Sequence, residues 1–189
     1  MGEVARIVVP NPPALTHVED GVETQGQVYL LHAPSVATEP MVVRAPTGET
    51  LRLVAGEMYY RDALDQWDVL YGSAPASVSA TGRQARYERP WPLGDDVFVA
   101  EAERVKHYAI IHRAPRRPAA HLGEGTEFGI AWVVSGVTLQ TGRHDSIQVG
   151  PFTLPRPWAQ DTAGRRCPGN RGNSKWRPSS PVWYNGGGQ

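Results

Sequence analysis

Cysteine is nearly missing. The 189 residues include one, Cys167. A single thiol excludes an internal disulfide framework and a multi-cysteine zinc site, and it is compatible with a reducing compartment. Lysine is almost as scarce, with only Lys106 and Lys175 among many arginines. A GC-rich genome and the value of a planar guanidinium at interfaces would each produce that bias. Net charge is lacking too: 19 cationic residues face 19 acidic ones. Long apolar runs are absent, and none approaches the roughly 18 residues a membrane helix requires. The opening MGEVARIVVPNPP has neither the basic start nor the long apolar middle of a secretory leader. Arg6 stands where a myristoylation signal needs Ser or Thr. These absences lead us to expect no membrane partner and no secretion, and a location in a cytoplasmic assembly or a virus particle. No internal repeat at a fixed period is visible.

Proline and glycine are plentiful instead, at 17 and 20 residues. They divide the chain into short pieces and argue against a helical bundle. Hydrophobic content of 40% and charged content of 20% suit a globular fold. The length allows one core, or one core with an appended arm. Residues 128–139 form the strongest apolar stretch. Ile130, Trp132, Val133, Val134, Val137 and Thr138 favour a pleated strand over a helix. Residues 141–145 have turn composition, and Ile147, Val149, Phe152 and Leu154 then resume alternation. The pattern predicts a hairpin whose first strand is central and buried. A second hairpin is expected over 41–45 and 50–55, with Leu51, Leu53 and Ala55 on one face.

Shorter strands are expected at 5–9, 28–32 and 67–71, with 57–60 extending the sheet and a turn at 62–66. Residues 16–27 read as an exposed loop, and 72–82 as a flexible one. Residues 87–92 are extended by their prolines. Residues 95–113 read as two strands flanking a turn, and 114–125 as a loop. The expected fold is mainly β. It is a single sandwich or barrel-like domain of short antiparallel strands with long Pro/Gly loops, over residues 1–154. Residues 155–189 form an extended C-terminal arm.

No pattern of catalytic, cofactor or metal residues stands out. His107 and His112 are the nearest to a metal pair. A spacing of five puts them on opposite faces of a strand, and helical zinc pairs need a spacing of about four. Two ordinary surface or interface histidines are the simpler reading. Arg143-His144-Asp145, with Ser135 or Ser146, lacks a nucleophile elbow and sits in a turn. Residues 123–129 have the wrong spacing for a nucleotide loop, and their carboxylates would repel phosphate. Glu101 and Glu103 read as a solvated face. Cys167 lies in a cationic setting that favours thiolate, with no histidine near it in sequence.

Charge distribution carries more. Residues 1–70 are rich in carboxylates. Residues 151–189 hold one, Asp161, against Arg156, Arg165, Arg166, Arg171, Lys175 and Arg177. The arm also carries Trp158, Trp176, Trp183 and Tyr184, aromatics that gain most from burial. Arginine interleaved with tryptophan serves single-stranded nucleic acid and protein interfaces alike. The neutral chain, its acidic front and the lack of a nucleic-acid-binding motif favour protein contact. The expected role is therefore a non-enzymatic structural subunit that joins copies of itself and neighbouring structural proteins, in the setting of a virus or bacteriophage particle. Trp158, Arg165, Arg166, Arg171, Trp176, Arg177, Trp183 and Tyr184 would form the interface. Arg113, Arg116 and Arg117 would contact a partner or nucleic acid. The alternatives are a nucleic-acid-binding module and an enzyme with an unrecognised histidine and carboxylate site.

Overall fold

Fourteen strands and no helix make up the regular structure of the described residues. The computed structural model describes residues 14–24, 29–101, 104–135, 139–141 and 147–154. The expected strand at 5–9, the turn at 142–145 and the whole arm lie outside the described residues. The mainly β expectation holds, and the sheets are antiparallel and sandwich-like without closing into a barrel.

The chain opens with β1 (Leu15–Val18) and β2 (Gly21–Thr24), a hairpin turning at Glu19-Asp20. This corrects the loop expected at 16–27. Its polar composition hides a strand alternation in which Val22 and Thr24 point inward. Thr24 is accommodated because its Oγ1 accepts the Leu31 N–H at 2.9 Å. Gly21 is needed here: a Cβ would meet the Ala33 carbonyl oxygen at 2.1 Å. Next come β3 (Leu30–Pro34), β4 (Met41–Arg44) and β5 (Thr50–Arg61), joined as consecutive antiparallel neighbours. The β4–β5 hairpin turns through Gly48 at a φ of 97°, as the Pro-Thr-Gly-Glu composition implied.

Strand β5 is the centre of this sheet. β4 pairs with its start and β6 (Trp67–Gly72) with its end, while β11 (Glu127–Ser135) runs along the opposite edge. The sheet order is therefore β1-β2-β3-β4-β5-β11, with β6 also on β5. The expected hairpin of 128–139 with 147–154 holds only at its tip, where residues 139–141 pair antiparallel with 147–149, and its first strand is neither paired there along its length nor central. β11 pairs with β5 and ends the sheet, and of its side chains only Val134 is fully buried. An apolar run reports how well a strand is covered, not which strand lies beside it. The later segment forms its own small sheet from β12 (Leu139–Thr141), β13 (Ile147–Val149) and β14 (Phe152–Leu154).

The second large sheet has the order β10-β9-β8-β7. Strand β7 (Val78–Thr81) lies inside the stretch expected to be a loop. Its small residues still alternate, with Val78 and Ala80 packed on the core. β8 (Gln84–Trp91), β9 (Gly94–Ala100) and β10 (Val105–Ile111) follow as a meander. The two strands expected within 95–113 are β9 and β10.

The inner faces of the two sheets meet in a common core. Val22, Leu31, Met41, Val43 and Leu51 pack with Ala85, Tyr87, Phe98 and Ala100. A second cluster gathers Ala55, Met58, Trp91 and Leu93, and Trp132 packs against both. Two polar handles bind the sheets. Tyr87 Oη donates to the Pro34 carbonyl at 2.7 Å, and Trp91 Nε1 donates to the Gly56 carbonyl at 3.2 Å. Each buried polar tip thus finds a partner on the facing sheet.

Candidate functional site

Strand β9 reads Gly-Asp-Asp-Val-Phe-Val-Ala and is buried along nearly its whole length. Two adjacent carboxylates in such a strand demand an explanation, because a buried carboxylate is costly unless it is paired. Neighbours on a strand point to opposite faces. Asp95 therefore faces outward and Asp96 inward, and each meets a different histidine.

Asp95 is 2% exposed. Its Oδ1 accepts the Arg89 backbone N–H at 2.9 Å. Its Oδ2 accepts from Arg86 Nη2 and lies 2.9 Å from His112 Nε2. Burial raises the proton affinity of this carboxyl. The Arg89 N–H, Arg86 and His112 outweigh burial and hold it below the ordinary aspartate range. The geometry depends on a bulge. The β8–β9 register shifts between Tyr87 and Trp91, and Arg89 adopts a left-handed φ of 51°. Arg86, Glu88, Arg89, Asp95 and His112 line an open concavity of about 540 Å³ there. Beyond it, Tyr108 and Ile110 of β10 share the outward face, opposite Val97 and Asp95.

Asp96 has the opposite balance. It is 1% exposed, and its Oδ1 lies 2.6 Å from His107 Nε2. Burial pushes its carboxyl above the ordinary range, more than the imidazole can offset. The His107 ring stacks on Phe98, its cross-strand neighbour, with 4.9 Å between centroids. It also meets the Trp132 ring at 4.6 Å. Tyr87, opposite Asp96, has its hydroxyl pushed upward by burial and by that carboxylate.

No family model, curated protein or solved structure matches this chain.

His107 and His112 do lie on opposite faces, as their spacing requires. Sequence reasoning missed their anchoring to buried aspartates. The signal was present: Asp-Asp within an apolar strand is rarely tolerated without partners, and the next strand supplied two imidazoles. Among the described residues no group of His, Cys, Asp and Glu is arranged to hold a metal ion. Arg116 pairs with Asp68 at 3.0 Å, and its carbonyl accepts from Tyr60 Oη at 2.7 Å. Arg113 and Arg117 are exposed. Glu101 is held down to about 2 by Lys106 and Arg104, each 2.6 Å away. Gly123 is a structural point: its N–H donates to Asp62 Oδ2 at 3.0 Å, fastening the loop to the β5–β6 turn. Ser135 ends β11. Glu103, the Arg143-His144-Asp145 group, Ser146 and Cys167 lie outside the described residues. So do Trp158, Arg165, Arg166, Arg171, Trp176, Arg177, Trp183 and Tyr184.

Proposed function

We propose that the protein is a non-enzymatic structural subunit of a larger assembly, with a virus or bacteriophage particle as its setting. One observation carries the reading. β10 ends its sheet, and no strand among the described residues pairs with its free edge. It exposes Tyr108, Ile110 and Ile111, each close to 40% accessible. Edge strands that remain alone are normally blunted by charge, proline or bulges. β10 has a lysine at Lys106 but is apolar from Tyr108 to Ile111. Such an edge suits strand addition by a neighbouring chain, in which backbone hydrogen bonds supply affinity and alternate side chains supply register. The acidic front and basic arm on one chain suit head-to-tail contact, which closes into a ring or continues as a filament.

The test is the mass of the full-length protein by light scattering. Ile110→Lys should reduce association. Trp176→Ala and Trp183→Ala should weaken it more than Arg171→Ala. The reverse order within the arm would favour nucleic acid, with Arg113 and Arg117 as further contacts and a steep salt dependence. An oligomer mass unaffected by all four changes would remove the assembly reading. A second reading has one observation behind it. His112 and Asp95 are arranged as an acid–base pair beside two arginines. The described residues lining that concavity carry the groups for proton transfer, and this second reading extends no further than that.

A further inference from the structure

Arg89 is left unused by an assembly role. Its φ of 51° is uncommon for any residue other than glycine. The strained backbone is held by the bond from its N–H to Asp95. Its guanidinium meets no acceptor among the described residues. Arg86 lines the same concavity. Its Nη2 is committed to Asp95, while its Nε is buried and has no acceptor among the described residues. Buried donors in native folds are nearly always satisfied, and the Arg86 side chain is 35% exposed, so a small shift of it into the concavity would bring this orphan N–H to an acceptor arriving from outside.

The opposing charges must be counted. Asp95 already accepts from three donors, which spread its charge. Glu88 is exposed, so its repulsion is screened by water and salt. With His112 neutral, Arg86 and Arg89 balance Asp95 and Glu88. Donor geometry, not net attraction, must therefore select the ligand. Guanidinium groups match two-oxygen acceptors, because their N–H groups form a planar fork.

We propose that this concavity binds one oxyanion, a carboxylate or a phosphate, held between the Arg89 guanidinium and Arg86 Nε with His112 alongside. The site is independent of whether the chain assembles.

The experiment uses the full chain labelled with nitrogen-15. Sodium phosphate and sodium acetate are titrated separately at constant pH and ionic strength, with sodium chloride as the control. The Arg86 Nε–H and His112 ring signals are read. The expected result is saturable shifts with phosphate, acetate or both, and none with chloride. Arg89→Gly suits the left-handed backbone and removes the guanidinium. It should weaken binding about tenfold or more, the size of one charge-assisted hydrogen bond. Arg89→Asn, which also accommodates that conformation, should do the same, while Arg113→Ala should leave binding unchanged. A response to phosphate alone assigns the site to phosphorylated ligands, and a response to acetate alone assigns it to carboxylates. Shifts that never saturate, or binding by both Arg89 variants as tight as by the unaltered chain, would overturn the proposal.

Discussion

Replacing each β9 aspartate with asparagine should have opposite effects on stability, although the two residues are adjacent. In Asp95→Asn the amide oxygen can still accept the Arg89 N–H. Its NH₂ then confronts Arg86 and His112, both of which sit on the other oxygen. A buried group that loses its partner costs about 1–3 kcal/mol. The Arg86 and His112 side chains are 35% and 46% exposed, so water recovers part of that loss. The expected net cost is about 2 kcal/mol at pH 7. In Asp96→Asn the oxygen still meets His107, and a charge that burial disfavours disappears. That variant should be neutral or up to about 1 kcal/mol more stable at pH 7.

Acidity separates the two further. Asp95 has a lowered folded value, so its contribution is complete above the unfolded value of about 3.9 and fades as pH falls through the lower folded one. The deficit of Asp95→Asn should persist from pH 7 to about 4 and close only below that. Asp96 has a raised folded value, so the wild type recovers stability as pH falls through it. The advantage of Asp96→Asn should shrink on acidification. Urea melts at several pH values measure both differences. Equal losses for the two variants at pH 7, or a larger loss for Asp96→Asn, would refute the reasoning.

Other outcomes follow from the packing. Tyr87→Phe deletes the hydroxyl that donates to the Pro34 carbonyl, and the orphaned acceptor should cost about 1–2 kcal/mol in urea melts. Gly94→Ala would place a Cβ 2.2 Å from the Ile110 carbonyl oxygen. The clash should cost about 2–3 kcal/mol and speed hydrogen exchange of β10 amides and of the His112 N–H bonded to Leu93. Ile110→Lys, beyond its effect on association, should change stability by less than about 0.5 kcal/mol, because the side chain is exposed.

The legible parts of the fold were those where local chemistry and tertiary contact agree. The β4–β5 hairpin announces itself through alternating Leu51, Leu53 and Ala55 and a turn that requires Gly48. β9 and β10 were readable from their β-branched runs. The β1–β2 hairpin was not, because Thr16, His17 and Glu23 mask a single buried valine, Val22. β7 was missed because Ser79, Ala80 and Thr81 carry little hydrophobic signal, and only pairing with β8 makes them a strand. The partner of β11 was misassigned because proximity in sequence favoured 147–154, whereas β5 lies some seventy residues earlier. Long-range pairing leaves no local trace. The site was legible in parts: the two histidines and their opposed faces could be read. The Arg89 bulge could not, because nothing in Tyr-Glu-Arg-Pro-Trp marks a left-handed arginine.

The two adjacent aspartates also act as an alignment key. A slip of β9 by one position would turn Asp95 into the aromatic interior and leave Asp96 beside the arginines. Both carboxylates would then face strangers: the first would lose its three donors and the second would abandon its imidazole. Misthreaded forms of this sheet are thereby penalised twice, and the chain carries within one dipeptide a check on how its strands are laid down.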